Sequence, residues 1–191
     1  MTEKHSGLSA ILPFVSILTK GKVALSVFIL LLSGQGVPAK DNQFNYLKNG
    51  VSFSIPIDWK TISDEALPDK GYYYSAESTK KNSTGLFTLV TINNVENPVK
   101  SLLVQEKNMK EETIYQESGI EFTAIESCNF GSMEALKADY ESVVKGTKVS
   151  GTIYCFNCSE KTYMIFFQTG LKDRKNNVKV FRMIELTFAC R

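Results

Sequence analysis

The sequence predicts an α+β domain of about six to seven strands and two main helices, and three observations carry this. Val51, Phe53 and Ile55 alternate with Ser52 and Ser54, the period of a strand with one buried face. Tyr163, Met164, Ile165, Phe166 and Phe167 are apolar without a break, so that strand needs cover on both faces and belongs in the middle of a sheet. Two segments take helical spacing instead, one opened by Asn97-Pro98 and one running from Val178 to Phe188.

The elements follow in order. Pro56 ends the first strand because it cannot donate to a ladder, and the only tryptophan, Trp59, lies just past it, where a large ring covers the end of a core. Residues 72–76 and 86–92, aromatic or β-branched in character, flank a polar turn at 80–85 and form a hairpin. Successive side chains of a strand point to opposite faces, so at least one of Tyr72, Tyr73 and Tyr74 is expected to be exposed. Asn97 then supplies an N-cap and Pro98 the first helical position. Val99, Leu102 and Leu103 continue with helical spacing, and Glu106 with Lys110 adds an i,i+4 pair, which predicts a helix to about Ile114.

Ile120, Phe122 and Ala124 restore the strand period, and Asn129-Phe130-Gly131 reads as a turn. Leu136, Ala138 and Tyr140 alternate with Lys137, Asp139 and Glu141; alternation over six residues outweighs the helix propensity of Ala, Leu, Glu and Lys. Val149, Gly151, Ile153 and Cys155 line one face of the next strand, and the link at 157–161 is short enough for a hairpin into 162–167. After a polar loop at 172–177, Val178, Phe181, Ile184 and Phe188 space the apolar face of a last helix, which ends at Cys190-Arg191 and lies across the sheet.

Residues 1–39 have a different character. An uncharged apolar run at 23–32 follows Lys20 and Lys22, and Val37 and Ala39 put small side chains at the positions a signal peptidase inspects. A spanning helix needs ~20 apolar residues and a signal core only about 7–15, so 1–39 read as a cleaved export signal. The apolar stretch at 8–18, broken by Pro13, makes the first 19 residues either an extended n-region or the product of an early start codon, and the alternative to cleavage is an uncleaved membrane anchor. Residues 40–49 are then a short linker and 50–191 a single periplasmic or secreted domain, at about 150 residues sized for one core.

Charge and histidine both fall on the signal side of this boundary. Lys4, Lys20 and Lys22 stand against Glu3 there, so of 22 basic and 20 acidic residues the exported part keeps 19 of each. A neutral domain has no electrostatic footprint for nucleic acid, and the cluster of Lys172, Arg174, Lys175 and Lys179, interrupted by Asp173, reads as a solvated loop. The sole histidine is His5, which removes Ser-His-Asp and Cys-His catalysis and His-based zinc sites from the domain. No nucleophile-elbow, phosphate-loop or dinucleotide glycine motif occurs.

Four cysteines, Cys128, Cys155, Cys158 and Cys190, allow three pairings in an oxidising compartment. Cys155-Phe156-Asn157-Cys158 has the spacing of a redox pair, but such motifs open a helix after a strand, and both flanks here read as strand. A zinc site would draw on all four thiolates from three distant segments. The remaining catalytic candidates are carboxylates: Asp64, Glu65 and Asp69 in one loop, with Glu111 and Glu112 on the first helix. In a shared pocket they would serve a hydrolase, and the 64–69 loop would suit a hard cation such as calcium; dispersed, they are solvated surface acids.

The opening Phe53-x-Ile55-Pro56-x-x-Trp59 and the closing Phe181-x-x-Ile184-x-x-x-Phe188, in the order three strands, helix, four strands, helix, resemble the PsbP-like superfamily. That group includes the photosystem II PsbP subunits, the Ran-binding Mog proteins and many exported bacterial proteins. The resemblance covers residues 50–191. It implies an α/β/α sandwich around a central antiparallel sheet, and a role exercised through protein contact instead of chemistry, with no catalytic, cofactor or metal residue to carry over. Together with the missing histidine and the neutral charge it leads to an exported, non-enzymatic binding or accessory domain for an envelope or secreted partner. The alternatives are a carboxylate-based hydrolase or metal-binding protein, and a structural module stabilised by disulfides.

Overall fold

The computed structural model of the chain describes residues 43–191 apart from 69–70, 82 and 117–118, so residues 1–39, expected to be an export signal, and Asp69 lie outside the described residues. The elements are β1 (Gln43–Lys48), β2 (Val51–Pro56), β3 (Trp59–Ala66), β4 (Tyr72–Ser78), β5 (Leu86–Ile92), α1 (Pro98–Glu111) and α2 (Thr113–Gln116), followed by β6 (Ile120–Phe122), β7 (Glu126–Phe130), β8 (Met133–Val144), β9 (Thr147–Cys158), β10 (Lys161–Gly170), α3 (Arg174–Thr187) and β11 (Ala189–Cys190).

The main sheet is antiparallel throughout, in the order β3-β4-β5-β10-β9-β8-β6, with β7 pairing β8 beside β6. Eight strands replace the expected six to seven, and a second sheet, β1-β2-β11, stands apart from it. The strands missing from the sequence reading lie at sheet margins and bury very little: β1 only Tyr46, β3 only Trp59, β7 only Phe130. A strand that buries one residue shows no period of two. Thus 43–48, expected as linker, pairs with β2 from Gln43↔Pro56 to Lys48↔Val51. Residues 59–66, where the sequence shows no strand and Asp64 and Glu65 are expected in a loop, pair with β4, and Phe130 is the last residue of a strand instead of the middle of a turn.

β10 lies between β5 and β9, the central place its two apolar faces require. One face of the sheet buries Tyr74, Phe87, Phe156 and Phe167 beneath Phe53 of β2 and Phe181 and Ile184 of α3. The other buries Val90, Ile153, Cys155 and Phe166 beneath Leu102 and Met109 of α1 and Tyr115 of α2. The sandwich is therefore α on one side and mixed on the other, where α3 shares its layer with the small sheet. This double cover overturns the expectation of an exposed tyrosine: Tyr72, Tyr73 and Tyr74 are all buried.

α1 begins where the sequence places it, α3 begins at Arg174 within the stretch expected as a polar loop, and both helices stop early. The Asn97 side chain accepts from the N–H groups of Val99 at 3.0 Å and Lys100 at 3.2 Å, with Pro98 following. α1 ends at Glu111 instead of Ile114 because Glu112 is extended, and α2 is a separate turn. α3 ends at Thr187 instead of Cys190: Phe188 is extended, and Ala189 and Cys190 pair with Ser52 and Val51. Phe181, Ile184 and Phe188 are buried as their spacing requires, but Val178 is 48 % exposed and Asn177 takes the inward position beside it.

Cys158 and Cys190 form a disulfide, and Cys128 and Cys155 are free thiols. Cys155 and Cys158 are not paired with each other, in keeping with the strand flanks that argue against a redox motif. Residues three apart in a strand face opposite ways, so Cys155 packs beneath α1 while Cys158 joins the core on the α3 side.

Gly151 of β9 lies opposite Tyr140 of β8, and a Cβ there would enter the Tyr140 ring and lie 2.5 Å from the backbone oxygen of Phe167. Gly151→Ala is expected to lower stability by about 1–3 kcal/mol through overpacking. Urea denaturation reads this directly, and an unchanged midpoint would show that the ring has room to move.

Candidate functional site

Alternation along β8 sends Ala138 and Tyr140 beneath α1 and turns Lys137, Asp139 and Glu141 to the side on which α3 lies. On that side α3 packs over β10, with the ring of Phe181 stacked on Phe167 at 4.5 Å. It does not reach across β9, β8 and β6. The strands left uncovered and the flank of α3 enclose a groove of about 620 Å³. Its volume falls in the range of about 300–1,000 Å³ common for ligand sites.

Aromatic rings of Tyr154, Phe167 and Phe181 form the base of the groove. The strand wall carries Glu121, Asp139 and Glu141, and the helix wall Arg174, Arg182 and Glu185. A continuous polar row crosses four strands in register: Glu121 faces Glu141, Glu141 faces Ser150, and Ser150 faces Thr169. Lys137 neutralises part of the strand wall, 3.3 Å from Asp139 and 3.9 Å from Glu126. Burial pulls its ammonium down, and the carboxylates outweigh that and hold it above its ordinary value. Arg182 is held by Glu185 at 2.7 Å. Among the described residues Arg174, Glu121 and Glu141 have no ion-pair partner.

The N-terminal end of the helix wall is fixed by Asp173. Its carboxylate accepts from the Ser83 hydroxyl at 2.7 Å, from the Thr84 N–H at 2.7 Å and hydroxyl at 2.8 Å, and from the Asn177 amide at 2.8 Å. Burial pushes the carboxyl up, but these donors stabilise the charged form and hold it below the usual aspartate range. A depressed value in the folded state contributes stability that is complete above the unfolded value of about 3.9 and is lost as pH falls through the folded one. Asp173→Asn is therefore expected to destabilise the domain by about 2–3 kcal/mol at pH 7, the range for hydrogen bonds to a charged group. Melts taken at a series of pH values should show the difference from wild type shrinking below about pH 4. A difference independent of pH would mean that the carboxylate's charge is not what holds the knot.

The carboxylates singled out from the sequence do not converge. Asp64 and Glu65 lie in edge strand β3, where Asp64 accepts from Lys48 at 2.9 Å and Tyr46 at 3.1 Å, and Glu65 from Ser63 at 2.7 Å. Glu111 lies 3.8 Å from Lys107, and burial pushes the neighbouring Glu112 carboxyl up; both belong to the end of α1, over the opposite face of the sheet. The calcium-loop reading is corrected with them, since residue 64 begins no loop. Among the described residues no group of three or more His, Cys, Asp or Glu is placed to hold a metal ion. Burial pushes the Cys155 thiol up to about 12 and raises Cys128 as well, so neither is a thiolate at neutral pH.

The basic cluster read as a loop is divided: Lys172 precedes Asp173, whereas Arg174 opens α3 and lines the groove. The groove itself escaped the sequence reading because its acids occupy the polar positions of alternating strands. Only the register, which puts Glu121 against Glu141 and both beside Ser150, shows that they meet.

In fold, the chain is similar to the solution structure of cyanobacterial PsbP (CyanoP) from Synechocystis, with a TM-score of 0.60 over 84 % of this chain and 99 % of that one, at 10 % identity. The fold is PsbP-like. Weaker likenesses are to a protein of unknown function from Pseudomonas aeruginosa, with a TM-score of 0.47 over 79 % of this chain and 99 % of that one at 11 % identity. Another is to LpqN of Mycobacterium tuberculosis, a protein involved in cell envelope biogenesis, with a TM-score of 0.46 over 78 % of this chain and 86 % of that one at 11 % identity. No family model and no curated protein matches the sequence. Among the described residues no helix is long and apolar enough to cross a membrane.

Proposed function

We propose that this chain is an exported, non-enzymatic binding or accessory domain that works through contact, with the groove beside α3 as its contact site. The observation that carries the reading is the groove: an aromatic base between a carboxylate wall and an arginine wall, on a stretch of sheet that no layer of the fold covers. The PsbP-like fold supports it, as does the absence of histidine beyond His5. An acid/base pair needs one carboxyl held protonated by burial, whereas Glu121 and Glu141, the acids that do meet, are both solvent-exposed. Export is supported by the signal pattern in 1–39 and by the Cys158–Cys190 disulfide, a bond that persists in oxidising compartments.

The test is site-specific photo-crosslinking in the host cell. A crosslinking residue at Val178, on the rim of the groove, should give one discrete adduct, and the same residue at Lys145, in the exposed turn after β8, should give none. Absence of any adduct from Val178 would refute the contact site. Sequencing the mature N-terminus checks export: a chain that begins at Lys40 is expected, and one that still begins at Met1 would overturn cleavage.

A further inference from the structure

Resting on the reading of the groove as a contact site, we infer that its occupant is a basic segment of a partner protein, which lays a lysine or arginine side chain along the row Glu121–Glu141–Ser150. Three observations on this surface point the same way. Glu121 and Glu141 are directly opposed across β6 and β8, an arrangement of like charges that destabilises a sheet unless a cation relieves it. Neither is ion-paired among the described residues, although Lys137 nearby binds Asp139 and Glu126 instead. Next in the row, Ser150 is only 8 % exposed, lines the groove, and its hydroxyl has no hydrogen-bond partner among the described residues. The oxygen is not sealed off within the fold, so an N–H donor that enters the groove reaches it and supplies the missing partner.

The charge balance of the walls sets the sign of the occupant. Arg182 and Glu185 cancel, and Lys137 offsets Asp139, which leaves Glu121 and Glu141 facing Arg174 alone. The surplus is negative and lies at the strand wall. Beyond it the rings of Tyr154, Phe167 and Phe181 offer an apolar bed for the methylene stem of a long cationic side chain, which buries its carbons while its head stays at the carboxylates. Arg174, at the start of α3, faces the other way electrically and suits the carbonyl oxygens of an extended backbone. A segment of chain, with donors and acceptors at both edges, matches this two-signed groove better than an isolated cation does.

The experiment titrates the full chain with a fluorescent Ac-Lys-Phe-Lys-Phe-Lys-amide peptide and its Glu-for-Lys counterpart, read by anisotropy. The basic peptide is expected to bind, the acidic one not to bind, and added salt to weaken the complex. Glu121→Gln combined with Glu141→Gln should weaken binding about tenfold, the sum of two modest surface ion pairs. Glu111→Gln combined with Glu160→Gln, exposed acids away from the groove, should leave it unchanged. All four positions are exposed, so neither double variant is expected to melt below wild type, and the groove variant should melt slightly higher because the Glu121–Glu141 repulsion is gone. Ser150→Ala should weaken binding by a smaller factor. The inference is overturned if the acidic peptide binds as well as the basic one, or if the groove double variant binds like wild type. Tight binding of 1,5-diaminopentane alone, with nothing gained from a peptide backbone, would also overturn it and assign the groove to a free diamine. A crosslinked adduct at Val178 with no peptide binding would reject the basic occupant and leave the contact site standing.

Discussion

Replacing Phe130 by alanine is expected to lower the free energy of unfolding by about 3–5 kcal/mol, the cost of deleting a phenylalanine from a closed core. Its ring has no exposed surface. It lies 5.0 Å from Tyr154, 5.4 Å from Phe156 in a stacked arrangement, 5.5 Å edge-on from Phe188 and 6.1 Å from Phe167. These partners come from β9, from β10 and from the residue that caps α3, so one side chain ties the edge of the sheet, its centre and the covering helix together. Close packing on all sides limits how far the site can collapse, which sets the loss toward the upper part of the range. For a domain of about 150 residues the melting temperature should fall by on the order of 10 °C. Leu47→Ala, at a position 68 % exposed, is the matched control and should change stability by less than about 0.5 kcal/mol. A loss at Phe130 below about 1 kcal/mol would show that the cluster refills the space and that the ring is not a keystone of the core.

Phe130 also marks the limit of what the sequence shows. Its neighbours Asn129 and Gly131 are residue types that favour turns, and the turn is real, but it begins two residues later than expected, at Gly131 with φ +60°. The strand that precedes it, β7, leaves Glu126, Ser127 and Asn129 exposed, so nothing in its spacing separates it from a loop. Strand character is conferred by pairing with β8, a contact remote from local propensity. β3 is hidden in the same way, since Trp59 is its only buried residue and Asp64 and Glu65 are exposed along it. By contrast β10, α1 and α3 were legible because their burial is periodic: Tyr163 to Phe167 on two faces, Leu102 and Met109 on one, Phe181 and Ile184 on another. The candidate site falls in the illegible class. Glu121, Glu141 and Ser150 come from three strands, and they become neighbours through register alone.

Removal of the Cys158–Cys190 bond is the second large effect expected. The bond closes a separation of 32 residues, and the chain-entropy cost of such a loop in the unfolded state amounts to about 3–4 kcal/mol. It is also well placed in the folded state. Cys158 ends β9, Cys190 ends β11, and β11 is held to β2 by only two residue pairs and the 2.8 Å bond from the Arg191 N–H to the Gly50 carbonyl. Without the cross-link that short strand has little to retain it. A chain with both Cys158→Ser and Cys190→Ser is therefore expected to melt lower than wild type by the equivalent of about 3–4 kcal/mol and to ignore added reductant, whereas wild type should fall to nearly the same level when reduced. The unfolded, unreduced wild type should expose the two thiols of Cys128 and Cys155 to a thiol reagent. Cys155→Ser separates this pairing from the redox pair that the Cys155 to Cys158 spacing suggests: the variant should keep its sensitivity to reductant, and loss of that sensitivity would reassign the disulfide. The groove should outlast reduction at one end. Asp173 anchors the start of α3 through Ser83, Thr84 and Asn177 independently of the disulfide, so faster amide exchange is expected at 188–191 while 176–178 stay protected.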